Sequence, residues 1–187
     1  MSQDLTRRTV LAVLAGGAAF LVKKANGQIV WQVNASRCIN SRLFEAGVEA
    51  CNLCTTECVV ALSAVRAVNE YSKCGRCNIC PAYFNITSAV NELGQPSEKL
   101  CPRDAIARKA IGKVDPEDPA NNFYEYIIDE EKCDGCGKCV MKCKEPLGLG
   151  SITLRVRYDK CVNCNYCSIL KACPQNALMQ LPIDQAL

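Results

Sequence analysis

Lys132-Cys133-Asp134-Gly135-Cys136-Gly137-Lys138-Cys139-Val140-Met141-Lys142-Cys143 reads C-x2-C-x2-C-x3-C. Lys160-Cys161-Val162-Asn163-Cys164-Asn165-Tyr166-Cys167 runs on to Cys173-Pro174 and reads C-x2-C-x2-C-x5-C-P. Towards the N-terminus, Cys74, Cys77, Cys80 and Cys101 form a third group, and Cys38, Cys51, Cys54 and Cys58 a fourth. The groups are themselves repeated. Tyr71 to Cys80 matches Tyr158 to Cys167 at an offset of 87, and Cys51-x2-Cys54-x3-Cys58 matches Cys136-x2-Cys139-x3-Cys143 at an offset of 85. Cys101-Pro102-Arg103-Asp104-Ala105-Ile106 echoes Cys173-Pro174-Gln175-Asn176-Ala177-Leu178. The chain thus reads as two related halves, 28–111 and 123–187, joined by a polar linker, 112–122, that holds Pro116 and Pro119. The first half carries two insertions: 12 residues separate Cys38 from Cys51, and 20 separate Cys80 from Cys101.

Three thiolates within seven residues, on a tight loop, reach three irons of one cubane, and a fourth from elsewhere closes the site. The sixteen cysteines divide into four such sets with none left over, which argues for four [4Fe-4S] clusters and against a spare reactive thiol. An even count also permits a disulfide scaffold. Such a scaffold has no reason to repeat three cysteines at x2, x2 spacing. Zinc uses C-x2-C pairs and has no need of the third cysteine. The chain has no histidine, so Ser-His-Asp and Cys-His catalysis, His-ligated zinc, a Rieske centre and a c-type haem motif are all excluded. Aromatic residues make up 6% of the 187, so an apolar core would be thin without the cysteines as glue.

The formal charge of +3 belongs to the first 27 residues, where Arg7, Arg8, Lys23 and Lys24 face Asp4. The remainder is neutral and has no basic excess to suggest nucleic acid. Arg7-Arg8 precedes an apolar run from Val10 to Val22, followed by Lys23-Lys24 and then Ala25-Asn26-Gly27, a small-x-small cleavage candidate. A span needs about 20 apolar residues, so this shorter run suits a signal. The twin arginine is similar to the signal of the route that exports folded, cofactor-loaded proteins. The expectation is a twin-arginine signal over 1–27, cleaved or kept as an anchor. The protein would then sit in the periplasm or on the outer face of the cytoplasmic membrane.

Ile29 to Val33, Ala64 to Val68, Tyr124 to Ile128 and Ile152 to Tyr158 are short β-branched and aromatic segments, each running into a cysteine motif. After the two Cys-Pro pairs, Asp104 to Lys109 and Gln175 to Met179 suggest a helical turn and a return strand. The expected class is α+β, with short strands and short helices around the clusters.

Each half resembles a bacterial two-cluster ferredoxin. With the export signal, the whole is similar to the periplasmic polyferredoxins that serve respiratory oxidoreductases. The resemblance implies ligand exchange within each half. Cluster one would take Cys38, Cys51, Cys54 and Cys101, and cluster two Cys74, Cys77, Cys80 and Cys58. Cluster three would take Cys133, Cys136, Cys139 and Cys173, and cluster four Cys161, Cys164, Cys167 and Cys143. Respiratory relatives can instead nest their motifs, first with fourth and second with third. The resemblance also implies redox protein partners, with membrane contact only through the N-terminal segment or a partner.

No dinucleotide fingerprint, Walker loop or acid–base pair is present, which points to an electron-transfer subunit and not an enzyme. A cluster sensor and an enzyme with a further cofactor are the alternatives. Each oxidised cubane with its thiolates carries about −2. Arg37, Lys73, Lys132 and Lys160 each precede a first ligand, either to raise its potential or simply as exposed cations. The insertions Ile39 to Ala50 and Pro81 to Leu100 either dock a partner or shield the clusters.

Overall fold

The computed structural model describes residues 29–42, 49–118, 121–144 and 149–185. The export segment expected at 1–27 lies outside them, as do residues 43–48 of the first insertion. Six strands are described: β1 Ile29–Val33, β2 Val65–Asn69, β3 Ile106–Ile111, β4 Phe123–Ile128, β5 Ile152–Val156 and β6 Leu178–Pro182. Four short helices accompany them: α1 Ile39–Arg42, α2 Leu53–Thr56, α3 Lys138–Lys144 and α4 Ser168–Ala172. Every strand expected from the β-branched segments is present within a few residues of its expected bounds. No helix among the described residues is long and apolar enough to cross a membrane.

The strands form three two-stranded sheets, β1 with β6, β2 with β5 and β3 with β4. In each sheet a strand from before residue 112 meets one from after residue 122. This departs from the expectation of two self-contained halves: the halves interleave. Residues 112–122, read as a linker between them, connect β3 to β4, which pair antiparallel from Ile106↔Ile128 to Ile111↔Phe123. The reason lies in the buried faces. On β2, Val65, Ala67 and Asn69 stand opposite Val156, Leu154 and Ile152 of β5. Period-two alternation puts these side chains next to one another on one face, where they pack laterally as cross-strand neighbours.

The chain divides into two compact units, Trp31–Met179 and a smaller one in which Ile29, Val30 and residues 180–185 are described. The core of the larger unit gathers Val65, Ala67, Ile106, Tyr126, Val140, Leu154, Val156 and Ile169. Cys38, Cys80, Cys133 and Cys143 belong to the same buried cluster. The thin apolar core is thus completed by thiols. In that unit α1 packs on α3, and α2 on α4.

Candidate metal centres

Local backbone conformation shapes each cysteine loop. In three C-x-x-C pairs the residue before the second cysteine has positive φ: Arg76 at 52°, Gly135 at 79° and Asn163 at 48°. Left-handed backbone reverses the chain within the pair, and Gly and Asn adopt it most readily. Gly135 has a second constraint, since a Cβ there would lie 2.5 Å from the Val65 carbonyl oxygen. A matching device follows each Cys-Pro. Asp104 at 49° and Asn176 at 46° turn the next N–H back onto the ligand. Ala105 N–H donates to Cys101 Sγ at 3.3 Å, and Ala177 N–H to Cys173 Sγ at 3.4 Å.

The cysteines meet in sets of four, each drawn from two motifs. Cys58, Cys161, Cys164 and Cys167 line a cavity with Trp31 and Ile169. Cys74, Cys77, Cys80 and Cys143 line a second with Tyr126 and Ile152. Cys38, Cys51, Cys54 and Cys173 line a third with Val33 and Leu154. The remaining thiols also lie together: Cys133, Cys136 and Cys101 all act electrostatically on Cys139. Arg103 beside Cys101 meets Asp134 at 3.5 Å, which ties the two loops of this last set.

These groupings differ from the sequential pairing in the fourth member of every set. Cys58 faces the Cys161 loop and not the Cys74 loop, and Cys143 faces the Cys74 loop and not the Cys161 loop. Cys173 closes on Cys38, Cys51 and Cys54, while Cys101 sits with the Cys133 loop. The interleaved strands are the cause, because β1 pairs with β6 and β3 with β4. The Cys-Pro before β6 is thereby carried to the motif that follows β1, and the Cys-Pro before β3 to the motif that follows β4.

Several side chains that hold the loops carry no motif of their own. Asn40 is buried and spans the stretched first motif. Its Nδ2–H donates to the Cys51 carbonyl at 2.7 Å, and its Oδ1 accepts from the Cys51 N–H at 2.8 Å. Twelve intervening residues therefore do not part Cys51 from Cys38. Trp31 Nε1–H donates to the Cys164 carbonyl at 3.0 Å, and Tyr126 Oη–H to the Cys77 carbonyl at 2.7 Å. Ser63 Oγ–H bonds the Cys54 carbonyl at 2.6 Å. The signal for Asn40 was faint, a polar residue two positions after a ligand. Trp31 and Tyr126 were more legible, as each stands seven residues before a first cysteine.

Burial dominates the thiol chemistry. It pushes Cys54 and Cys80 up to about 12, with neighbouring thiols adding to the shift. Burial likewise raises Cys38, Cys77, Cys133, Cys136 and Cys161, and holds Cys139 well above the ordinary thiol range. A cationic centre bound among these raised thiols would replace their protons. Among the described residues, no three Cys, Asp or Glu side chains converge closely enough to hold a single metal ion. The sulfurs instead stand around the walls of apolar cavities. A set of four cysteine sulfurs spread around a cavity fits a multi-iron sulfide group.

The cations preceding the first ligands are turned outward. Lys73 pairs with Glu70 at 2.7 Å, Lys132 with Asp129 at 3.6 Å and Lys160 with Glu131 at 2.6 Å. Arg37 is exposed. The second insertion is anchored at its base. Arg108 stacks 3.5 Å from the Tyr124 ring centroid and lies 5.1 Å from that of Phe84. It also donates to the Asn78 carbonyl at 2.9 Å and to Gln95 at 3.0 Å. The insertion's Val90 and Leu93 remain exposed.

Sulfur-lined cavities carried on short strands and one-turn helices define an iron–sulfur protein of α+β, ferredoxin-like build. Residues 126–145 match the family described as 4Fe-4S binding domain. An uncharacterized ferredoxin of Methanocaldococcus jannaschii is 31% identical over 109 residues, covering 54% of this chain and 69% of that protein. The chain belongs to the ferredoxin family, and its chemistry is iron–sulfur electron transfer. No solved structure matches it.

Proposed function

We propose that the protein holds four [4Fe-4S] clusters in nested sets and relays single electrons between two redox proteins. The sets are Cys38, Cys51, Cys54 with Cys173; Cys74, Cys77, Cys80 with Cys143; Cys133, Cys136, Cys139 with Cys101; and Cys161, Cys164, Cys167 with Cys58. One observation carries this reading: three cavities are each lined by four cysteines taken from two motifs. When bound, the group supplies reversible one-electron uptake and release. The chain's own residues give thiolate ligands, orient them by N–H···S bonds and keep water away with Trp31, Tyr126, Ile152 and Ile169.

Neighbouring loops support an order for the relay. The Cys161 and Cys38 sets exchange ligands, and Cys54 feels both Cys173 and Cys167. The Cys133 and Cys74 sets exchange ligands in turn, and Cys139 feels Cys143. Between these pairs, Gly137 lies against Asn40, and a Cβ on it would stand 3.2 Å from the Cys51 carbonyl oxygen. The row then runs from the Cys161 set to the Cys38 set, the Cys133 set and the Cys74 set, with its two ends free for different partners. We assign the protein to the periplasm or the outer membrane face, exported by the twin-arginine route. Its partners there would belong to a membrane-associated oxidoreductase complex, with the protein as a carrier and not an enzyme.

The test is metal content. Anaerobically purified protein should hold about 16 iron and 16 sulfide per chain, four of each per cubane. Zinc, or eight disulfides, in their place would overturn the assignment.

A further inference from the structure

Arg66 is the second residue of β2 and is 1% exposed, the only charged side chain so enclosed among the described residues. Its Nε–H donates to the Glu130 carbonyl at 2.6 Å and its Nη1–H to the Val65 carbonyl at 3.0 Å. Both acceptors are neutral. Among the described residues no carboxylate pairs with it. The acidic side chains of the adjoining turn are all engaged elsewhere: Asp129 with Lys132, Glu130 with Arg157, Glu131 with Lys160 and Asp134 with Arg103. Directly opposite on β5 stands another cation, Arg155.

A buried guanidinium with no counter-charge is strongly unfavourable. The turn that receives its hydrogen bond, however, leads straight into Cys133. The next residue on β2, Ala67, donates its N–H to Cys133 Sγ at 3.3 Å. Strand β2 therefore brings a hydrogen bond and a positive charge to one ligand loop. A cubane with four thiolates carries about −2 when oxidised and one more negative charge when reduced. A fixed cation in an enclosed site favours the more negative state. The other sets have no enclosed cation among the described residues. Arg108 reaches the loop between Cys77 and Cys80 but is only half-buried, so solvent screens it.

We propose that Arg66 is the buried counter-charge of the cluster held by Cys133, Cys136, Cys139 and Cys101, and that it makes this cluster the most readily reduced of the four. The proposal rests on the nested four-cluster reading. It deepens that reading by placing an electron-holding site inside the row and not at either end.

The experiment is an EPR-monitored redox titration of the anaerobically purified holoprotein, with Cys136→Ser marking the signal of this cluster. In the wild type the marked signal should be the first to appear as the potential is lowered. In Arg66→Gln its reduced-to-oxidised ratio at the wild-type midpoint should fall at least about tenfold, or 59 mV for one electron. The other three signals should stay in place, and Arg66→Lys should restore most of the shift. A marked signal that is not the first to reduce, an unmoved midpoint in Arg66→Gln, or equal shifts in the Gln and Lys variants would each overturn the proposal. If Arg66→Gln loses iron, the wild-type order and the Lys variant still decide. Fewer than four clusters in the wild type would count against the relay, while the marked signal would still report on Arg66. If Cys136→Ser removes no signal at all, both readings fail.

Discussion

Trp31 on β1 and Cys164, 133 positions later, are joined by one hydrogen bond of 3.0 Å from the indole N–H to the carbonyl. Tyr126 and Cys77 repeat the relationship at 2.7 Å. Each aromatic leads into one cysteine motif and clasps the middle cysteine of the motif whose cavity the last cysteine of the first, Cys58 or Cys143, also lines. Tyr126→Phe removes one such bond and keeps the ring, whereas Trp31→Phe also deletes the five-membered ring of a buried indole. Tyr126→Phe should cost about 1 kcal/mol of stability and Trp31→Phe more, read as a lowered unfolding midpoint of the holoprotein. Iron loss on mild chelation should begin at the Cys161 set in Trp31→Phe and at the Cys74 set in Tyr126→Phe.

Ligand pairing is checked by shared spectroscopic phenotypes. Cys143→Ser should perturb the same EPR signal as Cys77→Ser, and Cys58→Ser the same signal as Cys164→Ser. Cys173→Ser should group with Cys54→Ser, and Cys101→Ser with Cys136→Ser. A match of Cys143→Ser with Cys164→Ser would restore the sequential pairing.

Asn40 is the bridge across the first insertion. Asn40→Leu removes both of its bonds to Cys51 and leaves that residue's N–H and carbonyl without a partner. A buried unsatisfied group costs about 1–3 kcal/mol. Under an iron chelator the variant should lose the Cys38 set first, measured as the loss of about four iron atoms per chain before the rest.

Gly135 tests the loop geometry. Its φ of 79° and the Val65 carbonyl, 2.5 Å from an added Cβ, both oppose a side chain. Gly135→Ala should destabilise the protein by more than about 1 kcal/mol and reduce the iron content by about four per chain. Asn163→Gly, at a matching position without the glycine requirement, should leave iron content unchanged.

Much of this architecture was legible in the sequence. The four motifs, the short strands before them and the turns after Cys101-Pro102 and Cys173-Pro174 all come from local residue patterns. The partner of each motif did not, because Cys58, Cys101, Cys143 and Cys173 are placed by strand pairing between distant segments. Residues 112–122 look the same in sequence whether they separate two domains or close a hairpin. The N-half and C-half repeats suggested sequential pairs, yet Val65 and Ala67 find their cross-strand neighbours in Val156 and Leu154 of the other half. Arg66 was hidden for a similar reason: a charged residue in a short strand reads as solvent-facing, and its hydrogen bond to the Glu130 carbonyl comes from a segment 64 positions away.

Export rests on Arg7 and Arg8. Replacing both with Lys keeps the charge and removes the pair that the pathway recognises. The precursor should then accumulate in the cytoplasm, measured by cell fractionation. Full recovery of the double-Lys form in the periplasm would remove the twin-arginine assignment. N-terminal sequencing of the exported chain separates cleavage near Gln28 from a retained anchor.

A ribosome releases Cys38 first among the sixteen cysteines and Cys173 last. With nested sets, the earliest motif to be made is the last to be completed. The Cys133 set is whole once Cys139 has emerged, and the Cys74 set once Cys143 has followed. The Cys161 set waits for Cys167, and the Cys38 set for Cys173. Assembly therefore proceeds outward from the middle of the chain. A nascent protein cut short anywhere before Cys173 carries at least one open site, so a fully loaded carrier records that translation passed Cys173.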